Sequence, residues 1–276
     1  MLIVLKLGGS IITQKYRKEF PLTIEEIEKQ ADNYINYQLI NGIASVIAKY
    51  SNKISLVLTH GAGQFGHYLA TKYLEGMPIT PKDIHKSVAI LNKKVTQTLS
   101  EFIDVRSISP FETVTYTGDS FLTQTLVDKI KRLLEQEKIP IIYGDVVKSR
   151  LTTKYGKYWV FSGDDAVLEV SKKLKANIAA MATDVDGVFT KDPKIYPDAK
   201  FLPEFTNLME VAFHQHELDV TGGMKKKVEI LLQCSALGAK AYVFDGRKIE
   251  NYRLLFDGKP EGTTIKNLDP DAQAKT

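Results

Sequence analysis

Ile54–His67 read ISLVLTHGAGQFGH, and the order of residue types in this stretch decides how the chain is built. Its first part, Ile54–Thr59, is a short apolar, β-branched run without polar alternation, the pattern of a strand covered on both faces. Its second part, HGAGQFGH over His60–His67, brings Gly61, Gly63 and Gly66 together and then passes into helical spacing. A buried strand, a glycine turn and a helix make the repeating unit of a parallel α/β sheet, whose ligand sites gather at the carboxyl ends of the strands.

The same unit recurs on both sides of this stretch. Further strands are expected at Leu2–Leu7, Val105–Ser109, Ile139–Tyr143, Ile178–Thr183 and Ala241–Phe244. Helices are expected at Ile24–Ala48, Lys82–Glu101, Ser120–Glu137, Gly163–Leu174 and Met224–Leu237. Residues Tyr143–Phe161 break the rhythm with β-like pieces and turn residues, which predicts a hairpin. The fold class is therefore α/β, a mostly parallel sheet between helical layers, with a polar tail at 269–276. No repeat of 20–50 residues is visible.

Bulk composition excludes several functions. The 276 residues are 43% hydrophobic and 25% charged, ordinary for a globular chain, and the net charge is only +4. The basic residues are scattered, with Lys225-Lys226-Lys227 the densest run, so no nucleic-acid partner is expected. A cleft that attracts phosphates accounts for the small excess. Cys234 is the single cysteine, which leaves no intrachain disulfide and no zinc site, and fits a reducing cytoplasm. No charged n-region precedes a long apolar stretch and no apolar run reaches a membrane-spanning length, so neither signal peptide nor membrane partner is expected.

Function should then lie in the turns after the strands. KLGGS, Lys6–Ser10, places a lysine inside an apolar strand, where it needs an anion or solvent, ahead of Gly8 and Gly9, whose backbone can close on an anion. Lys15 follows on the next segment. No G-x-x-x-x-G-K-[ST] phosphate loop occurs anywhere. Gly61–Gly66 spell G-x-G-x-x-G, but a dinucleotide fold needs a second strand ending in an acid about 20 residues on. Here that region reads YLEGMPITPKDIH, with two prolines. A phosphate-binding loop explains the glycines equally well, and His67 shares that loop.

Three more turns complete the set. YGDV, Tyr143–Val146, is followed by SGDD, Ser162–Asp165, where Ser162 or Asp164 could cap a helix and Asp165 could organise lysines. TDVDGVFTKDPK, Thr183–Lys194, lacks the further acids of an EF-hand loop. It resembles the opening motif of haloacid dehalogenase phosphatases, yet the later acidic pair of that family is missing after AYVFDGRK. DVTGGMKKKVE, Asp219–Glu229, sets two glycines before a lysine-rich helix start. Lysines are disfavoured there by the helix dipole unless an anion is near.

Taken in order, KLGGS, the glycine loop after the second strand, the acid-bearing helix start, TDVDGV with KDP, and GGM-x-x-K resemble the amino acid kinase superfamily over nearly the whole chain. Within it, HG-x-G-x-FGH, YGDV…SGDD and DVTGGM are similar to isopentenyl phosphate kinases, with fosfomycin-modifying kinases alike in the same loop. The resemblance implies a three-layer α/β/α sandwich forming one domain over 1–268. Residues 1–150 would form the acceptor and dimerisation lobe, and 151–268 the nucleotide lobe. It implies ATP with Mg²⁺, an isoprenoid monophosphate acceptor and a homodimer.

By the same resemblance, Lys6, Leu7, Gly8, Gly9, Ser10, Gly63, Gly222 and Gly223 surround the ATP phosphates, and Lys15 and Lys227 stabilise the transferring group. Lys227 falls on the lysine after GGM-x-x, with Lys226 the neighbouring possibility. Asp165 positions the lysines, and Asp184, Val185, Asp186, Gly187, Val188 and Lys194 contact the nucleoside. Ala62, Gly63, Gly66, His67, Gly144, Asp145 and Val160 line the acceptor site, with His67 bonded to its phosphate; no protein ligand to a metal is implied. Ala62 stands where the family has a glycine and Gln64 where it has a small residue. The segment Tyr68–Val88 matches the family poorly, which leaves the acceptor's tail length open. The competing readings are a kinase for another small phosphate, phosphonate or carboxylate, and a ligand-binding member without catalysis.

Overall fold

A computed structural model describes residues 1–14, 20–209 and 223–268. Lys15, Gly222 and the 269–276 tail, all singled out above, lie outside the described residues. In chain order, β1 (Leu2–Leu7), β2 (Ser55–His60) and β3 (Val105–Ile108) are followed by the short β4 (Thr115–Tyr116) and β5 (Phe121–Leu122). Next come β6 (Ile139–Tyr143), β7 (Asp145–Thr153) and β8 (Gly156–Phe161). β9 (Ile178–Thr183), β10 (Val188–Phe189), β11 (Phe201–Leu202), β12 (Glu204–Thr206), β13 (Lys240–Asp245) and β14 (Gly262–Lys266) complete the set.

The central sheet runs β12-β14-β13-β9-β1-β2-β6-β3. Its neighbours are parallel except β13 and β14. All six expected strands fall in this sheet. The glycine and acidic turns after β1, β2, β6 and β9 therefore share one edge.

Helices cover both faces. They are α1 (Gly9–Ile12), α2 (Ile24–Gln30), α3 (Tyr37–Tyr50), α4 (Gly63–Leu74) and α5 (Pro81–Ser100), then α6 (Pro110–Thr113), α7 (Gln124–Glu135), α8 (Gly163–Leu174), α9 (Gly223–Ala236) and α10 (Glu250–Phe256). Alternation along β1 shows how the layers form. Ile3, Leu5 and Leu7 enter one core with residues of α1–α5 and α10. Val4 enters the other, with Leu126 of α7, Val167 of α8 and Leu231 of α9. Lys6 is in phase with Val4 and so faces the α8–α9 layer. Cys234 is buried in that same core, where burial pushes its thiol up to about 12.

Two helix expectations need correction. Ile24–Ala48 is not one helix: α2 stops at Gln30, a 3-10 turn covers Ala31–Tyr34, and α3 starts afresh. Asn36 causes the restart, because its side chain accepts the Leu39 N–H at 3.3 Å as an N-cap. Ser120–Glu137 begins too early, since Phe121 is drawn into a strand beside Tyr116 and packs edge-on to Phe161. The hairpin expected within Tyr143–Phe161 is β7–β8, which belongs to a smaller sheet ordered β5-β4-β7-β8.

Candidate active site

The first two glycine turns interlock. A Cβ on Gly9 would lie 2.5 Å from the Gly63 nitrogen, and one on Gly61 would lie 2.6 Å from the Gly9 nitrogen, so backbone alone can pass here. This crossing holds the end of β1 against the start of α4. Lys6 lies just beneath it, 5% exposed.

α8 supplies the counter-charge. Ser162 caps this helix and forms a capping box with Asp165. Asp165 Oδ2 accepts the Ser162 N–H at 2.8 Å, and Ser162 Oγ accepts the Asp165 N–H at 3.2 Å. That leaves Asp164 free to turn inward. Its Oδ1 lies 2.7 Å from Lys6 Nζ and its Oδ2 lies 3.5 Å from Lys227 Nζ, with the carboxylate 1% exposed. Lys227 also donates to the Gly223 carbonyl at 3.2 Å. Lys226 instead meets Asp165, at 2.9 Å, and the Ser162 hydroxyl, at 3.2 Å.

The electrostatics follow from burial and charge. Burial lowers the Lys6 ammonium to about 8, with Lys227 and Lys226 adding to the shift and Asp164 opposing it. Burial works against ionisation of Asp164, but Lys227 and Lys6 outweigh it and hold the carboxyl well below the usual range. The result is an ionised carboxylate shared by two lysines.

Beside this cluster opens a cavity of about 490 Å³ that continues into solvent. Lys6, Gly61, Asp164 and Gly163 form one side of it, and Ala62, Gly66, His67, Gly144, Asp145 and Val160 surround the rest. Ala70, Ile84, Val88 and Val146 add an apolar wall. All the residues expected at the acceptor site except Gly63 line this cavity. Gly63, at φ +51°, instead backs against Thr13. The methyl of Ala62 is accommodated because residue 66 is glycine; a Cβ there would come within 2.4 Å of it.

On the other side of Lys6, Asp184 joins the first turn to the segment after β9. It accepts from Ser10 Oγ at 3.0 Å and pairs with Lys194 at 2.5 Å. Asp186 lies further out, paired with Lys248 at 2.5 Å. Not every residue in this stretch faces a ligand. Val188 is fully buried in the core, and its N–H donates to Thr263 Oγ1 at 2.8 Å, so its side chain is packing.

Comparison with known proteins gives the arrangement a context. The pattern of the amino acid kinase family matches residues 1–245. The chain belongs to the amino acid kinase family. An isopentenyl phosphate kinase of Methanocaldococcus jannaschii is 33% identical, over 96% of this chain and 98% of its own. One from Methanothermobacter thermautotrophicus is 30% identical, over 96% and 98%. A crystal structure of isopentenyl phosphate kinase superposes with a TM-score of 0.76 at 29% identity, over 96% of this chain and 100% of that one. The kinase thus carries its family's turns at one sheet edge.

Reading the sequence alone gave the lysine-organising role to Asp165. In the structure Asp165 reaches Lys226, while Asp164 reaches both Lys6 and Lys227. The signal was present: S-x-x-D spacing commits the fourth residue to the cap and leaves the third for other work. His85, which no sequence motif marks, has Asp145 as its partner.

Proposed function

We propose that this kinase transfers the γ-phosphoryl group of ATP to the phosphate of isopentenyl phosphate or a related short isoprenoid monophosphate, giving the diphosphate. The observation that carries this reading is the Lys6–Asp164–Lys227 cluster, whose Lys6 and Asp164 line a cavity together with His67 and the apolar Ala70, Ile84, Val88 and Val146. A phosphate acceptor is already anionic at neutral pH and needs no strong base. Catalysis reduces to holding two anions in line and neutralising the charge between them.

Each residue type suits one part of that task. Lys6 and Lys227, spaced by one carboxylate, meet the phosphates of the nucleotide and the transferring group. Backbone N–H groups at the start of α4 and an imidazole donor from His67 meet the acceptor phosphate. Ala70, Ile84, Val88 and Val160 suit a hydrocarbon tail. Lys15 and Gly222 belong to the same scheme by family resemblance. Among the described residues, no three His, Cys, Asp or Glu side chains gather as a metal site. Mg²⁺ would enter on the phosphate oxygens of the nucleotide, whose charge it would help to neutralise. Among the described residues no helix is long and apolar enough to cross a membrane. The reading includes a cytoplasmic homodimer joined through the N-terminal half, which sedimentation of the purified chain would measure.

The test is ADP release from Mg²⁺-ATP with a panel of isoprenoid monophosphates, carbamate, glutamate and UMP. Turnover with a short isoprenoid monophosphate is expected. Turnover with a different acceptor alone, or with none, would replace this reading by another kinase or by a binding protein. His67→Ala should lower kcat by about 10²–10³-fold and leave ATP affinity near normal. Unchanged turnover would remove His67 from the mechanism.

A further inference from the structure

The cavity wall holds an acid that the proposed transfer does not use. Asp145 opens β7 directly after Gly144 and is 4% exposed. A bare carboxylate here would oppose the phosphate of the acceptor, yet both of its oxygens are occupied. Oδ1 accepts the Val146 N–H at 2.7 Å, and Oδ2 lies 2.7 Å from Nδ1 of His85. With Asp145 ionised it can only accept, so Nδ1 carries the proton in that state.

His85 reaches Asp145 from another element. It sits in the first turns of α5, whose start is fixed by a capping box between Thr80 and Asp83. Its ring lies flat on Phe111, with centroids 4.0 Å apart and planes at 17°, and Phe111 in turn stacks on Tyr158 at 5.9 Å. The imidazole is therefore held from below and aimed at one carboxylate oxygen. Gly144, next to Asp145, also lines the cavity and is closely packed: its N–H donates to the His60 carbonyl at 2.9 Å, and a Cβ there would lie 3.2 Å from the Gly163 nitrogen and 3.4 Å from the Ala62 nitrogen. Burial pushes the Asp145 carboxyl up to about 6, and His85 pulls the other way.

We propose that His85 is a positioning residue for the acceptor site, which holds the Asp145 carboxylate against α5 so that it does not face the acceptor phosphate. The proposal rests on the reading that this cavity takes a phosphate-bearing acceptor. His85 touches no reacting atom in this scheme; it acts through Asp145.

His85→Phe keeps the stack on Phe111 and deletes the donor, whereas His85→Gln returns a neutral N–H donor. In the full chain, His85→Phe should raise the acceptor KM about tenfold or more, since a charge-assisted hydrogen bond is lost. The ATP KM should stay within about twofold, and His85→Gln should recover most of the loss. On an Asp145→Asn background His85→Phe should add less than about threefold, because no carboxylate remains to be held. An acceptor KM within twofold of the parent, equal rises in both KM values, or undiminished loss on the Asp145→Asn background would overturn the proposal. If His85→Phe alone does not fold, the double variant against Asp145→Asn decides by the same criterion. Failure of the functional reading looks different: the parent enzyme then turns over no phosphate acceptor. Binding of inorganic phosphate, followed by calorimetry, then reads the pair. Tenfold weaker binding in His85→Phe supports it, and equal binding overturns it.

Discussion

Replacing Asp164 by Asn would leave Lys6 buried beside an amide, without the counter-charge now 2.7 Å away. Breaking a buried pair in this way costs about 3–5 kcal/mol. It would also free Lys227, so Asp164→Asn should lower kcat by about 10²-fold or more and move the denaturation midpoint down. Asp165→Asn removes a partly exposed pair with Lys226, worth about 1 kcal/mol or less, and should leave kcat within about tenfold. A larger kinetic loss from Asp165→Asn would return the organising role to that residue. The lowered ammonium of Lys6 makes a second prediction with opposite signs for activity and stability. Below about pH 8 the folded protein carries a charged Lys6, and above it the amine becomes neutral, while the unfolded chain keeps its proton to about 10.4. In that window the unfolded state binds more protons, so the contribution of Lys6 to stability rises with pH. Activity goes the other way, because a neutral amine cannot meet a phosphate. The kcat/KM for ATP should therefore fall above about pH 8 with no matching fall in melting temperature due to Lys6. Lys6→Arg, at whatever rate it retains, should lack that basic limb.

Strands were legible and helix boundaries less so, for a reason visible in particular elements. Leu2–Leu7 and Ile139–Tyr143 are buried on both faces, so apart from Lys6 their residues are apolar and stand out as runs without polar alternation. The α2–α3 region keeps helical spacing across its break; only Asn36, one capping side chain, separates the two helices. At α8 the expected bounds Gly163–Leu174 match, yet the roles of its first acids did not follow from the bounds. They follow from the cap. This separates two otherwise similar caps, at Ser162 and Thr80. Ser162→Ala and Thr80→Ala should each cost about 1 kcal/mol of stability, read from chemical denaturation. Only Ser162→Ala should also lower kcat, because α8 carries Asp164 at its second position and Ser162 Oγ receives Lys226. Equal kinetic effects would mean that α8 holds Asp164 in place without its cap.

Which loops meet across the molecule was the least legible part, because it depends on strand order, and no local pattern encodes order. Lys6 and Asp164 are far apart in the chain, and their 2.7 Å approach exists because β1 lies between β2 and β9 with α8 packed over it. The same topology bears on the expected division into residues 1–150 and 151–268. β1 belongs to the first part but pairs along its length with β2 on one side and β9 on the other. The halves are also joined away from the sheet, where Tyr50 of α3 packs on Phe256 at 5.3 Å and donates to Asp257 at 2.9 Å. A sheet whose central strand is shared cannot lose one half and keep the other intact. Thermal unfolding should therefore be one cooperative transition, with calorimetric and van't Hoff enthalpies equal. ADP at about 100 times its Kd should raise stability by about 2.7 kcal/mol and move that transition as a whole. Two separated transitions, or an ADP shift confined to part of the heat absorbed, would show instead that the halves fold as independent lobes joined only by the strand they share.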